Sequence, residues 1–152
     1  MIDQKTQKMT IIQLLHSYWA YFTLLALAFA SLNALSGYFA NKEFKLHKDF
    51  RISLFALIFT HFQLLLGLIL YLMSPNGLSK ITAVGMGGMS SFERLLALEH
   101  PLTNIIAVTL ITIGWSKHKK QTTSKGKFGK IALFHTLGLV LILSRIPWAI
   151  WF

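Results

Sequence analysis

The chain has 152 residues, of which 54% are hydrophobic and only 13% are charged. Soluble domains carry about 25% charged residues, so this composition indicates an integral membrane protein. The formal net charge of +10 does not predict a nucleic-acid partner, because the basic residues flank long apolar runs, as they do in membrane proteins. The absence of cysteine excludes disulfides, thiolate metal sites, iron–sulfur clusters and covalently attached c-type haem.

Four apolar segments predict an all-α fold, a single up-down bundle of four transmembrane helices formed by residues 1–152. About 20 residues are needed to cross the hydrocarbon core of a bilayer, and each segment is long enough. The predicted spans are Ile11–Phe39, Ile52–Met73, Ser91–Trp115 and Ile131–Phe152. Pro75 and Gly77 predict a turn after the second span, and a loop rich in glycine and methionine leads to the third.

The distribution of lysine and arginine predicts the orientation of the bundle. In an up-down bundle, the loop between spans one and two and the loop between spans three and four lie on the same side. These two loops carry ten basic residues, against four on the other side. The positive-inside rule therefore places them in the cytoplasm and both termini on the periplasmic side of a bacterial inner membrane. The ten residues are Lys42, Lys45, Lys48, Arg51, Lys117, Lys119, Lys120, Lys125, Lys127 and Lys130, and the four are Lys5, Lys8, Lys80 and Arg94.

Each predicted span contains one histidine, and these are His16, His61, His100 and His135. An ionisable side chain in hydrocarbon is costly, so it indicates a functional role. A single histidine of this kind is equally well explained as a hydrogen-bonding residue between helices, but one in every span favours a common function. The remaining two, His47 and His118, fall in the predicted basic loops.

The depths of these histidines favour haem as their ligand. At 1.5 Å per residue, His135 lies about 8 Å from the cytoplasmic edge, His61 about 15 Å and His100 about 22 Å, with His16 close to the outer edge. A low-spin haem needs two neutral imidazoles at similar depth on facing helices. The depths favour an outer pair, His16 with His100, and an inner pair, His61 with His135, with tilts of about 20° absorbing the mismatch. A single haem between His61 and His100 is a second arrangement.

Two other uses of the four histidines are less consistent with the sequence. A zinc site would require all four at one depth. A proton relay would use staggered histidines, but the acids nearest the helices, Glu93 and Glu99, both lie on the outer side.

Two arginines near the outer ends of spans are candidates for contacts to a cofactor. Arg145 is the one charge deep in a predicted span, where it could bind a haem propionate, a lipid phosphate or Glu99. Arg94 lies at the outer start of span three. Its presence there is more simply explained by an ion pair, or by a guanidinium group that reaches the membrane–water interface.

Five stretches of the sequence resemble small four-helix membrane proteins of Bacteroidetes-type bacteria that carry the general label cytochrome b. These stretches, which follow one another in order from the first span to the fourth, are Leu15–Trp19, Thr60–Pro75, Phe92–Lys120, Lys127–Lys130 and Arg145–Trp148. The layout, though not the sequence, is also similar to the ascorbate-dependent transmembrane cytochrome b family. That family has four core helices with one histidine each, and pairs helix one with three and helix two with four. The depths favour the same pairing here.

The histidines and the resemblance together predict a haem b-binding membrane protein that transfers electrons through one or two bis-histidine haems. Electrons would pass between a quinone, or a redox partner at the outer face, and another component such as a subunit of a respiratory or other membrane complex. The sequence indicates no substrate pocket and no further catalysis. The alternative is a non-catalytic accessory or scaffold subunit of a larger membrane complex, and a transporter or proton channel is a third class.

Overall fold

A computed structural model describes residues 4–151, except for the side chains of residues 5 and 6. Over this range the chain forms helices, turns and loops without a strand, so the predicted all-α fold is confirmed there. The four long helices are α1 (Gln4–Phe39), α2 (Arg51–Met73), α5 (His100–Lys119) and α6 (Ser124–Ser144). The short ones are α3 (Leu78–Val84), α4 (Ser91–Arg94) and α7 (Trp148–Trp151), with π-helical turns at Leu46–Phe50 and Leu95–Glu99 and a 3-10 turn at Met86–Gly88.

The third predicted span consists of α4, a π-helical turn and α5 rather than one regular helix. Ser90 begins it through a capping box, since its hydroxyl accepts from the Glu93 N–H while the Glu93 carboxylate accepts from the Ser90 N–H. The π-helical turn ends where His100 N–H donates to the Leu95 carbonyl, five residues back. Pro101 follows directly and has no N–H to donate, which favours a local change of helical register at this point.

The fourth predicted span differs from the observed helix α6 at both ends. Helix α6 begins at Ser124 rather than at residue 131, because the Thr123 hydroxyl caps it by accepting from the Gly126 N–H at 3.1 Å. It ends at Ser144, since Pro147 restricts the residue before it to extended conformations. Phe152, the predicted end of this span, lies outside the described residues, as does the Lys5 side chain used for the orientation.

The four long helices pack as a square in which α1 contacts α2 and α6, while α5 contacts α2 and α6 as well. Helices α1 and α5 therefore face each other across the bundle, and so do α2 and α6. Small side chains allow this close packing, since Ala30, Ala56 and Ala107 are almost completely buried between Leu27 and Ile111. The order is that of an up-down bundle with short connections.

The two basic loops lie at the same end of the bundle, as predicted. Phe44 in the first loop donates its N–H to the Ser124 hydroxyl at 3.0 Å, and its ring packs on Phe128 with centroids 5.0 Å apart. Nearby, Asn33 of α1 donates to the buried Asp49 carboxylate at 2.9 Å and so ties the first helix to the start of the second.

The outer surface of the bundle is strongly apolar. Leu25, Phe29 and Leu72 are each at least 60% exposed, whereas the exposed face of a water-soluble helix is polar. Four helical stretches are long and apolar enough to cross a membrane, namely Gln7–Phe39, Leu46–Val84, Ser91–Lys119 and Ser124–Ser144.

Candidate functional site

A cavity of about 230 Å³ lies inside the bundle, toward the end opposite the basic loops. One water molecule needs only about 10–15 Å³ of such space, so the cavity has room for a much larger group. Its wall is mostly apolar, and the polar side chains in it include His16, Gln63, His100 and Asn104. A mostly apolar cavity with a few convergent polar groups is the usual form of a small-molecule or cofactor site.

The rings of His16 and His100 lie next to each other in this cavity, each on one of two helices that are diagonally opposite in the square. Their centroids are 6.3 Å apart and their planes are inclined by 83°. Two imidazoles on one metal ion would place their centroids roughly 6 Å apart, since a metal–nitrogen bond is about 2 Å and each nitrogen lies about 1.2 Å from its ring centre. The structure thus brings together the outer pair of histidines at a spacing compatible with two axial ligands.

His100 is oriented by the end of helix α6. Its Nδ1 lies 2.8 Å from the Arg145 carbonyl oxygen. Because a carbonyl only accepts, Nδ1 carries the proton and Nε2 keeps a free lone pair, as in most metal-binding histidines. The Arg145 carbonyl is available since α6 has ended one residue earlier, and the last carbonyls of a helix have no partner within it.

His16 is held by two residues of α2. The Gln63 amide nitrogen lies 3.2 Å from His16 Nδ1 and donates to the His16 carbonyl at 3.0 Å. Gly67 faces the same ring, and a Cβ at that position would lie 3.0 Å from His16 Cε1. That distance is shorter than ordinary carbon–carbon contacts of about 3.5–4.0 Å, so the glycine provides room for the histidine.

Arg94 and Arg145 converge on one carboxylate near this site. Arg94 Nε lies 3.3 Å from one Glu99 oxygen, and Arg145 Nε lies 3.4 Å from the other. All three side chains are about 35% to 47% exposed, and such ion pairs are weak because water screens them. The two guanidinium groups can therefore exchange Glu99 for another anion at a modest cost in free energy.

The inner pair of histidines does not meet in this way. His61 is exposed, with Nδ1 donating to the Leu57 carbonyl at 2.8 Å and Nε2 lying 3.3 Å from the Thr112 hydroxyl of α5. His135 is completely buried, and neither of its ring nitrogens has a hydrogen-bond partner. Within residues 4–151 no hydrogen bond or ring contact joins His61 to His135 or to His100, so pairing through His61 stays a prediction.

Clusters of three or more possible metal-binding side chains are absent from the described part of the chain, counting histidine, aspartate and glutamate. A pair of axial histidines on haem is not such a cluster, because the porphyrin supplies the remaining ligands.

His118 was predicted to lie in a basic loop, and that prediction is wrong. The residue belongs to the last turn of α5, is 1% exposed and packs on the rings of Phe44, Phe50 and Trp115. Its Nδ1 donates to the Trp115 carbonyl. The lysines around it suggested a loop, whereas the helix continues through them to Lys119.

Sequence reasoning also missed the two amide side chains beside His16 and His100. Gln63 interrupts an apolar run in α2, which was a visible signal. Asn104 follows His100 by four residues and thus lies on the same helix face, where its amide donates to the His100 carbonyl at 2.7 Å.

Comparisons with protein-family models, with curated proteins and with solved structures found no match to this chain. The resemblance to cytochrome b-like proteins therefore stays a prediction. A function proposed for this chain has to rest on the geometry of the cavity.

Proposed function

We propose that this chain spans a bacterial inner membrane four times and binds haem b between His16 and His100 to transfer electrons. The observation that carries the proposal is the neighbouring pair of imidazoles, with ring centroids 6.3 Å apart, in the wall of a cavity of about 230 Å³. Two histidines from opposite helices of a bundle, with apolar walls around them, are what a six-coordinate haem requires of a protein.

The proposed insertion rests on the apolar outer surface and on the basic loops. Four helical stretches are apolar enough to cross a bilayer, and ten lysines and arginines lie in or beside the two connections at one end. By the positive-inside rule that end faces the cytoplasm, so both termini and the cavity lie toward the periplasm.

Each residue of the site has a distinct role in this proposal. Haem supplies one-electron chemistry when bound. His16 and His100 would hold the haem, the Arg145 carbonyl orients His100, and Arg94 and Arg145 would bind the haem carboxylates in place of Glu99. The apolar walls exclude water, which keeps both iron ligands in place and limits reactions with small molecules.

The position of the cavity bears on the electron donor and acceptor. Since it lies toward the proposed periplasmic end, a quinone dissolved in the bilayer or a redox protein at the outer face could approach it closely. Another subunit of a respiratory or other membrane complex would then be the second partner. A second haem between His61 and His135 remains an expectation from their depth alone.

The test is purification of the full chain in detergent from cells that make abundant haem. We expect a Soret band that sharpens on reduction, split visible bands, and one haem per chain bound at the outer site. His16→Ala and His100→Ala should each abolish the low-spin spectrum. His47→Ala is the matched control, because that histidine is exposed in the π-helical turn before α2, and its loss should leave the spectrum unchanged.

Two outcomes would contradict the proposal. A colourless protein purified from haem-replete cells would show that the chain does not bind haem. Other chains that copurify with it would then favour an accessory or scaffold subunit. A low-spin spectrum that survives both His16→Ala and His100→Ala would place the haem elsewhere in the bundle.

A further inference from the structure

Positive charge at the end of the bundle that carries the two basic loops is not balanced by acidic residues. Ten lysines and arginines lie in or beside these loops, against only Glu43 and Asp49. The Asp49 carboxylate is buried and accepts from the Asn33 amide, so it is used inside the fold. All three ion pairs of the described residues lie at the opposite end, on Glu93 and Glu99. The basic end therefore offers its charges to anionic groups outside the chain.

Two of these lysines lie at nearly the same height on the adjacent helices α5 and α6. Gly114 of α5 packs on Phe134 of α6 so closely that a Cβ at Gly114 would overlap the Phe134 Cβ. The two helices run in opposite directions, so Lys117 follows this contact and Lys130 precedes it, both toward the basic end. At 1.5 Å per residue, they lie about 4.5 Å and 6 Å beyond the contact.

The Phe134 ring joins the two lysines into one surface. The Lys117 ammonium nitrogen lies 5.7 Å from the centre of this ring, within the range of a cation–π contact. Lys130 precedes Phe134 by four residues, so it lies on the same face of α6. Both charges thus belong to the seam between α5 and α6.

The seam continues from these lysines into apolar side chains. Ile113, one turn before Lys117 on α5, is 38% exposed, while Leu133 and Leu137 on α6 are 52% and 46% exposed. These side chains lie nearer the middle of the bundle than the lysines do. The seam therefore presents cations at its end and an apolar surface beside them, which complements the anionic headgroup and the acyl chains of a phospholipid.

We propose that the surface made by Ile113, Lys117, Lys130, Phe134 and Leu137 binds one anionic phospholipid of the surrounding bilayer. The lysines hold the headgroup phosphate, and the apolar side chains contact the acyl chains. The inference rests on the proposed insertion into a membrane and does not depend on haem. A basic residue near a membrane surface strengthens the binding of an anionic lipid by roughly fivefold, so two give roughly 25-fold. An acidic soluble partner would use the lysines alone and leave the apolar part of the surface without a role.

The experiment counts the lipids bound to the purified full chain. The protein in detergent is titrated with phosphatidylglycerol, or with phosphatidylcholine of the same acyl chains, and native mass spectrometry resolves each bound lipid. We expect the first phosphatidylglycerol to bind roughly 25-fold more tightly than phosphatidylcholine. Lys117→Gln and Lys130→Gln should each weaken its binding by roughly fivefold, and the double variant should bind the two lipids almost equally. Equal affinities of the unmodified chain for both lipids would overturn the proposal.

Matched variants separate this surface from the general charge of the basic end. Lys45→Gln combined with Lys48→Gln removes the same charge from exposed positions at the same end. Because salt screens distant charges, the affinity for the first phosphatidylglycerol should stay within about twofold. A loss as large as in the double variant of Lys117 and Lys130 would show that the attraction is diffuse, and would overturn the assigned surface. Lys117→Arg combined with Lys130→Arg keeps both charges and should bind as the unmodified chain does, which covers a glutamine variant that fails to fold.

Competitors without acyl chains distinguish a bilayer lipid from other anions. Glycerol phosphate and polyglutamate should not displace phosphatidylglycerol at equal concentrations. If glycerol phosphate displaces it, the lysines bind any small phosphate, and if polyglutamate does, the surface fits an acidic protein; either result overturns the proposal. The proposed function fails separately, because a chain that takes up no haem leaves every lipid measurement unchanged.

Discussion

Replacing Gly67 with alanine should displace the His16 ring. The new Cβ would lie 3.0 Å from His16 Cε1 and 3.5 Å from Nδ1. Carbon atoms in contact keep about 3.5–4.0 Å, so the ring has to move by roughly half an ångström. Helices α1 and α2 resist moving apart, because Trp19 Nε1 and the Thr23 hydroxyl each lie 3.3 Å from the Phe59 carbonyl that they share. The histidine therefore takes up most of the shift.

A shift of this size matters for ligation. Functional groups have to be held within about 0.5 Å of their working geometry, and overpacking by one methyl group costs about 1–3 kcal/mol. If the iron–His16 bond bears that cost, ligation weakens by roughly fivefold to 150-fold. Absorption and electron paramagnetic resonance spectra of the oxidised Gly67→Ala protein should show a high-spin fraction, with haem still bound through His100.

The matched control is Gly87→Ala, because a Cβ at that position meets no atom within 4 Å. Its spectrum should equal that of the unmodified chain. A Gly67→Ala protein that keeps a fully low-spin spectrum would refute the assignment of His16 as a ligand at this distance from α2.

Three further substitutions test the packing of the bundle away from the site. Gly138→Ala places a Cβ 2.6 Å from the Ile111 side chain, so it should lower the free energy of unfolding in detergent by about 1–3 kcal/mol, and a stability equal to that of the unmodified chain would contradict this. His135→Leu removes a buried ring whose two nitrogens have no hydrogen-bond partner, so it should stabilise the fold by about 1 kcal/mol or more. The variant should keep its haem, and loss of haem would instead support the inner site. Asp49→Ala removes the carboxylate that accepts from the Asn33 amide and from a backbone N–H, so it should destabilise the fold by about 3 kcal/mol. Thermal unfolding measures this change, and an unchanged melting temperature would contradict it.

Hydrophobicity and helical rise together predicted the coarse fold and one of the two proposed pairs of histidines. Length and apolar content located four helices, and 1.5 Å per residue placed His16 and His100 at similar heights. The same count placed His61 near His135, but the structure turns His61 toward Thr112 on the neighbouring helix. Depth fixes a position along a helix and leaves the direction around it open. That direction depends on how four helices pack, which this sequence specifies only weakly because apolar residues cover every face.

Local interactions that override the apolar pattern were also hard to predict. The end of α5 was placed at Trp115, since lysines usually mark a loop, yet the helix continues and buries His118 against aromatic rings. The π-helical turn before His100 depends on the missing N–H of Pro101, and a helical register change of one residue leaves no trace in a hydrophobicity pattern.

The end of helix α6 connects the fold to the chemistry of the site. Pro147 makes the helix stop at Ser144, and this frees the Arg145 carbonyl from any helical hydrogen bond. That carbonyl then accepts from His100 Nδ1 at 2.8 Å and fixes the tautomer that iron requires, while the Arg145 side chain reaches Glu99. A break in one helix thus orients a ligand on its neighbour and places a positive charge beside it.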